Sequence, residues 1–264
     1  MERKIYKMKM ISFCNKKGGV GKTTLCKNVA YKFALDGAKV LLIDLDPQAT
    51  LSVQFSNKNI DNKKTFINFV PALEMVKINQ IIQSTKYKNI DIILGSEELN
   101  RMNEIIKSIF KENEYYMVSE MIYTKNKNVF NSYDYVLIDY PPTINDFAIN
   151  WLIMSDLILI PINDGIGSYK GILDLENTLT FICKKEKRGI PTLKIIFNNV
   201  KDDENTNLIL KWISDKKLNS KLLETFIQHS KSYVKSENKL NSIWTNQHYW
   251  RQKHAYEELI KEIK

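Results

Sequence analysis

The sequence predicts an α/β fold: a doubly wound, mostly parallel sheet flanked by helices. Two observations carry that prediction. Apolar runs of strand length alternate with helix-periodic stretches along most of the 264 residues, the pattern of βα units on a parallel sheet. Several of those runs also end in residues suited to holding a ligand: the glycine-rich stretch 15–24, Asp44, Asp139 and Asn198. In open α/β sheets ligands sit at the carboxyl ends of the strands.

The elements follow in order. Met8 to Phe13 reads as the first strand. Thr24 to Leu35 has apolar residues at helical spacing, and Gly37 stops it. Ala38 to Asp44 is almost continuously apolar, as a parallel strand buried on both faces requires. Residues 55–88 give no clear pattern and are Asn- and Lys-rich from Ser56 to Lys64. Ile90 to Leu94 reads as a strand, Glu97 to Lys111 as a helix, and 112–132 as ambiguous. Tyr135 to Asp139, Asp156 to Ile162, Leu193 to Phe197 and Leu222 to Ile227 complete the strands. Helices are expected over Asn145 to Met154, Tyr169 to Lys187, Asn207 to Lys217 and Trp250 to Ile263. No internal repeat and no Pro- or Ser-rich linker interrupts this order, so 1–264 is read as a single domain.

The stretch Asn15-Lys16-Lys17-Gly18-Gly19-Val20-Gly21-Lys22-Thr23-Thr24 is built to hold phosphate. Glycine lets the backbone curl until successive N–H groups converge on an anion, and the following helix adds the positive end of its dipole. Lys22 can reach the β- and γ-phosphates, and the Thr23 hydroxyl can hold Mg²⁺. The common P-loop pattern would place its first glycine at position 16, which is Lys16 here. Lys17 is surplus, since one lysine serves a P-loop's own nucleotide.

Hydrolysis also needs a metal and an oriented water. Asp44 and Asp46 lie two residues apart at a strand end, with Pro47 turning the chain outward after them. Asp139 ends a second apolar strand, where an acid can hold a metal-bound water. Pro141 and Pro142 stiffen the loop that follows.

The net charge is +9, and most of it lies from Lys184 onward, where seventeen lysines and arginines face ten acids. Such a surface can neutralise nucleic-acid phosphates without reading sequence. No apolar run is long enough to span a bilayer, and no apolar stretch follows the charged first residues as a secretory signal would require. Cys14, Cys26 and Cys183 are odd in number and lack C-x-x-C spacing, so they read as buried thiols of a reducing cytosol.

Three segments, Lys-Gly-Gly-Val-Gly-Lys-Thr-Thr at 17–24, Asp-Leu-Asp-Pro-Gln at 44–48 and Ile-Asp-Tyr-Pro-Pro at 138–142, together resemble the deviant-Walker P-loop ATPases of the ParA/MinD group. The Asp-Pro-Gln form is most similar to the ParA/Soj partition ATPases. The resemblance runs from about Met10 to the C-terminus and is weak over about 55–132. It implies a homodimer sandwiching two ATP molecules, with Lys17 crossing to the partner's nucleotide. It further implies Lys22 as the P-loop lysine, Thr23 as a Mg²⁺ ligand and Thr24 as an α-phosphate contact. Asp46 would orient the attacking water, Asp139 would act on the metal through water, and Asp44 would support the Mg²⁺ shell. Asn198 or Asn199 would meet the adenine edge, since an amide both donates and accepts. Two departures stand out. Phe226-Ile227-Gln228-His229-Ser230 replaces the usual Ile-Pro after the last strand, and few residues precede the first strand, as in the small form without an N-terminal DNA-binding domain.

Among members of that group, the expected one is a cytoplasmic, nucleoid-associated partition ATPase. It would bind non-specific DNA in its ATP state and meet a ParB-like, centromere-binding adaptor that speeds slow intrinsic turnover. DNA contacts are expected from Lys184, Lys185, Lys187 and Arg188, and from Lys231, Lys235 and Lys239. A MinD-like membrane-positioning ATPase is the alternative. Its requirement is a free apolar face on the tail, where Tyr256, Leu259, Ile260 and Ile263 form a short stripe expected to pack on the domain. A redox or metallochaperone relative needs cysteines that meet across a dimer, and Cys14 and Cys26 are poorly placed for that. A non-catalytic remnant would have lost Lys22, Thr23 or Asp46.

Overall fold

The computed structural model describes residues 8–57, 60–201 and 204–264. The charged start at 1–7 and part of the Asn/Lys-rich stretch 56–64 lie outside the described residues. Eight strands form one sheet: β1 (Lys9–Phe13), β2 (Val40–Asp44), β3 (Gln83–Ser84), β4 (Ile90–Ile93), β5 (Tyr135–Asp139), β6 (Leu157–Ile162), β7 (Thr192–Val200) and β8 (Leu222–Gln228). Their order is β3-β4-β2-β5-β1-β6-β7-β8. Every pairing is parallel except that of the two-residue β3 with β4.

This topology places the site. β1 is central, with β5 on one side and β6 on the other. The chain reaches β2 beyond β5, whereas β6 to β8 extend the opposite way, so the crossovers diverge beside β1. The register sets Phe13 beside Asp139 and Asp139 beside Asp44. The glycine loop and both acids therefore leave adjacent strands at one level.

The apolar side chains of these strands divide between two cores, one on each face. One holds Met10, Ile43, Ile138, Trp151, Ile160 and Phe197, under the Asp146–Leu152 and Ile166–Lys185 helices. The other holds Phe13, Leu42, Leu137 and Ile196, under the Lys22–Leu35 and Trp250–Ile263 helices. Each fully buried Leu, Ile or Phe contributes about 1.5–3 kcal/mol, before chain entropy is counted. Tyr256, Leu259, Ile260 and Ile263 are all buried in the second core. The apolar stripe of the last helix is thus packed on the domain, and no described helix is long and apolar enough to cross a membrane.

Several boundaries depart from the sequence reading. Glu97 to Lys111 is a 3-10 turn (Glu97–Arg101) followed by an α-helix (Met102–Ile109). The ambiguous stretch 112–132 is helical in three short pieces, Glu112–Met117, Val118–Lys125 and Lys127–Phe130. The helix expected from Tyr169 begins at Ile166, and β7 runs on to Val200. Helices without any expectation include Thr50–Phe55 and Lys231–Asn238. The second buries only Tyr233 and Ser236, which leaves no apolar period to read. Its one local signal is Ser230, whose hydroxyl accepts the Ser232 N–H as an N-cap.

Candidate functional site

The loop from Asn15 to Gly21 joins β1 to the Lys22–Leu35 helix. Gly21 has φ of 85° and Gly19 of 77°, in the left-handed region. A Cβ on Gly21 would also lie 2.2 Å from Asn198 Nδ2, so only glycine fits there. Asn15 anchors the start of the loop. Its Nδ2 donates to Pro161 O at 2.8 Å and Ser168 O at 3.2 Å, and its Oδ1 accepts the Lys17 N–H at 2.9 Å. Gly171 makes room for it, since a Cβ at that position would sit 2.0 Å from Asn15 Oδ1.

Lys22 is buried, and its ammonium turns back to Lys17 O at 3.2 Å, across the mouth of the loop. Thr23 Oγ1 donates to Asp139 Oδ2 at 2.6 Å. Asp139 is fully buried, and its other oxygen, Oδ1, has no partner. Burial, helped by the neighbouring Asp44 carboxylate, raises the Asp139 pKa, against the opposing Thr23 hydroxyl and Lys22. Burial likewise lowers the Lys22 pKa, and Asp139 counters it. A cradle of N–H groups, a hydroxyl on a carboxylate and an orphaned carboxylate oxygen fit a magnesium-bound nucleotide. Thr23 would hold the ion directly and Asp139 through water. The ion would supply charge neutralisation at the phosphates.

Asp44 braces the second acid. Its Oδ2 accepts the Ser52 N–H at 2.9 Å and the Ser52 hydroxyl at 2.7 Å, while Oδ1 accepts the Asp46 N–H at 3.1 Å. Burial pushes its pKa up to about 6, against the pull of the Ser52 and Asp46 hydrogen bonds. Asp46 is half-buried, and its Oδ1 accepts the Gln48 N–H at 2.9 Å. Its charge is felt at both Lys22 and Asp139.

The remaining candidates are spread more widely. Lys17 is exposed, and its aliphatic stem lies against Gly167, where a Cβ would be 3.3 Å from Lys17 Cδ. Its ammonium bonds to no described residue. Asn198 is buried and donates to Val20 O at 2.7 Å, closing the loop from the β7 side. Asn199 is exposed at φ of 59°, and its Oδ1 meets His229 Nδ1 at 2.8 Å. That contact links the ends of β7 and β8 where the usual Ile-Pro is missing. The two lysine clusters are not brought together. Lys184 and Lys185 end a helix packed in the first core, whereas Lys231 and Lys235 lie on the helix whose Tyr233 packs in the second. Arg188 is ion-paired with Glu120, and Lys185 lies 5.2 Å over the Tyr116 ring. Cys14, Cys26 and Cys183 are free and buried, and burial pushes the Cys14 thiol up to about 12.

Sequence reasoning missed Asn15, Ser52, Lys27 and Glu237. Lys27 has no exposed surface. Its ammonium donates to Gln54 Oε1 at 3.2 Å and lies 4.0 Å from Glu237 Oε1. Burial lowers its pKa from 10.5 to about 8, with Glu237 opposing and Lys86 adding to the shift. A lysine whose pKa falls on folding penalises the folded state below the folded value, and the penalty fades as pH rises toward the unfolded one. Relative to Lys27→Met, the wild-type chain should therefore gain stability between about pH 8 and 10.5, by an amount on the order of ~3 kcal/mol. Urea titrations of both proteins at pH 7 and pH 10 check this, and a constant difference across that range contradicts it.

With this geometry in view, the comparisons with known proteins agree. A family model described as an AAA domain matches residues 8–195. An uncharacterized protein of Methanocaldococcus jannaschii is 33% identical over 196 residues, covering 72% of this chain and 71% of that protein. The sporulation initiation inhibitor protein Soj of Bacillus subtilis is 28% identical over 210 residues, 79% of each. Among solved structures, Cyanothece McdA superposes with a TM-score of 0.84 at 19% identity, covering 97% of this chain and 100% of that one. A putative Borrelia burgdorferi plasmid partition protein bound to AMPPNP gives 0.75 at 23% identity, with 97% and 100% covered. The chain belongs to this AAA-domain family, as a P-loop ATPase of the ParA/Soj type.

Proposed function

We propose that this chain is a Mg²⁺-dependent partition ATPase that closes as an ATP-sandwich dimer, binds DNA without sequence preference in that state, and releases it on hydrolysis. A DNA-bound, ParB-like adaptor speeds the last step. The observation that carries this reading is Lys17: an exposed ammonium beside the phosphate loop, its stem laid along Gly167, bonded to no described residue. Lys22 already serves the loop of its own chain, so Lys17 is assigned to the nucleotide of a second copy.

Within one site the contacts support the following division of labour. The loop amides and Lys22 hold the β- and γ-phosphates. Thr23, aligned by Asp139, takes the metal, and Thr24 takes the α-phosphate. Asp46, braced through Asp44 and Ser52, orients the water for in-line attack. Asn198 holds the loop from beneath the base, and Asn199 with His229 forms the exposed edge there. A bound metal would neutralise charge that develops on the phosphates. Lys17 adds a positive charge only when two chains meet, so hydrolysis and separation are linked.

For DNA, the geometry favours Lys231, Lys235 and Lys239 over the cluster at Lys184, Lys185, Lys187 and Arg188, where Arg188 already has an acid partner. Lys235 and Lys239 line a hollow of about 400 Å³ with Asn241, Ser242, Thr245 and Asn246. No acidic residue lines it, which suits a phosphate backbone. The test is fluorescence anisotropy of a non-specific duplex with ATP and with ADP. Binding is expected only with ATP, and it should fall steeply with salt, with a logarithmic slope of about −5 if six lysines of a dimer engage. Lys235→Glu with Lys239→Glu should abolish it, and Lys184→Glu with Lys185→Glu should leave most of it. Equal binding in both nucleotides, or none in either, refutes the DNA reading.

A further inference from the structure

Thr24, the residue assigned above to the α-phosphate, already has a partner in the folded chain. Its Oγ1 donates to Glu237 Oε1 at 2.6 Å, across 213 residues of sequence. Glu237 comes from the Lys231–Asn238 helix, the element that carries Lys231 and Lys235. The same carboxylate oxygen lies 4.0 Å from the buried ammonium of Lys27. Gln54 ties the group together, accepting from Lys27 Nζ at 3.2 Å and donating to Glu237 O at 3.2 Å. Gln54 belongs to the Thr50–Phe55 helix, whose Ser52 holds Asp44, which in turn holds the Asp46 N–H.

A threonine hydroxyl has one proton to donate. A carboxylate and a phosphate oxygen both only accept, so Glu237 and an α-phosphate cannot both be served by Thr24 Oγ1. We propose that Glu237 is an internal competitor of the nucleotide for the Thr24 hydroxyl, and that Lys27 receives the carboxylate when the nucleotide displaces it. This rests on the reading of Thr24 as the α-phosphate contact. The destination is built in. Lys27 is a buried cation whose one hydrogen bond goes to a neutral amide, and such a charge is costly until a counter-ion reaches it. A shift of Glu237 from Thr24 toward Lys27 closes the 4.0 Å gap to a direct ion pair. Because Glu237 is fixed in the Lys231–Asn238 helix, the exchange moves the element that carries the favoured DNA lysines. Glu237 and Lys27 are thus positioning residues, and neither touches the reacting atoms.

The experiment titrates the full-length protein, with Mg²⁺, against a fluorescent ATP analogue. Glu237→Gln keeps the shape and removes the charge-assisted acceptor, so affinity should rise about tenfold. On a Thr24→Val background the same substitution should give no gain. Lys27→Met, which removes the destination, should weaken binding several-fold while the chain stays folded by thermal melting. Hydrogen exchange in 231–238 should change on nucleotide binding in the wild-type chain and not in Glu237→Gln. Unchanged affinity in Glu237→Gln overturns the proposal. So does a gain that survives Thr24→Val, since that would mean simple relief of charge repulsion. Failure of the wild-type chain to bind the analogue would instead overturn the nucleotide reading itself.

Discussion

Asp46→Ala should bind ATP and fail to hydrolyse it, with turnover lower by at least about 100-fold, the usual worth of a group that orients and activates a water. The separation of binding from turnover follows from position. Asp46 makes no bond to the phosphate loop. Its side chain accepts only from Gln48 N–H, and its backbone is held independently by Asp44. Losing the carboxylate leaves the cradle, Lys22 and the Thr23–Asp139 pair in place. It also removes a negative charge that acts on Asp139, so affinity for Mg²⁺-ATP should hold or rise slightly. Phosphate release under single-turnover conditions, beside equilibrium binding of ATP, separates the two effects. Normal hydrolysis in Asp46→Ala would reassign the water-orienting acid.

Lys22→Ala should act earlier, lowering ATP affinity by roughly 100-fold through loss of charge-assisted bonds to two phosphates. The fold should survive, because the ammonium makes a single hydrogen bond, to Lys17 O. The site would still be unbalanced: Lys22 is the cation that counters the raised pKa of Asp139. Without it the buried Asp139 takes up a proton more readily. The loss of affinity should be smaller near pH 5 than at pH 7, because Asp44, pushed up to about 6, takes up a proton between the two. Calorimetric titration with Mg²⁺-ATP at both values measures it, and wild-type affinity at either pH contradicts the assignment.

The parts of this site that were legible in the sequence are those where local chemistry leaves no substitute. Gly19 and Gly21 need positive φ, Lys22 and Thr23 need the first turn of a helix, and Asp44 and Asp139 end apolar strands. The supporting residues were not legible, because their roles exist only after distant segments meet. Asn15 looks like a turn residue until Pro161 and Ser168 surround it. Ser52 looks like a loop serine until it closes on Asp44. Lys27 reads as one more surface lysine on a helix, yet it points inward to Gln54 and Glu237. The Lys231–Asn238 helix escaped for a related reason: it is held by polar contacts and by two buried residues, without an apolar stripe. The basic C-terminal third was legible as charge but not as a surface, since the sheet separates its two clusters.

Lys17 joins these observations: its ammonium meets no partner among the described residues, which supports the proposed second chain. The most direct test is the mass of the protein in solution, measured by light scattering with Mg²⁺-ATP and with Mg²⁺-ADP, on the hydrolysis-deficient Asp46→Ala background. A two-chain species is expected with ATP and a single chain with ADP. Adding Lys17→Ala should return the ATP sample to a single chain while ATP still binds. A single chain in both nucleotides, or a dimer that persists without Lys17, would contradict the account.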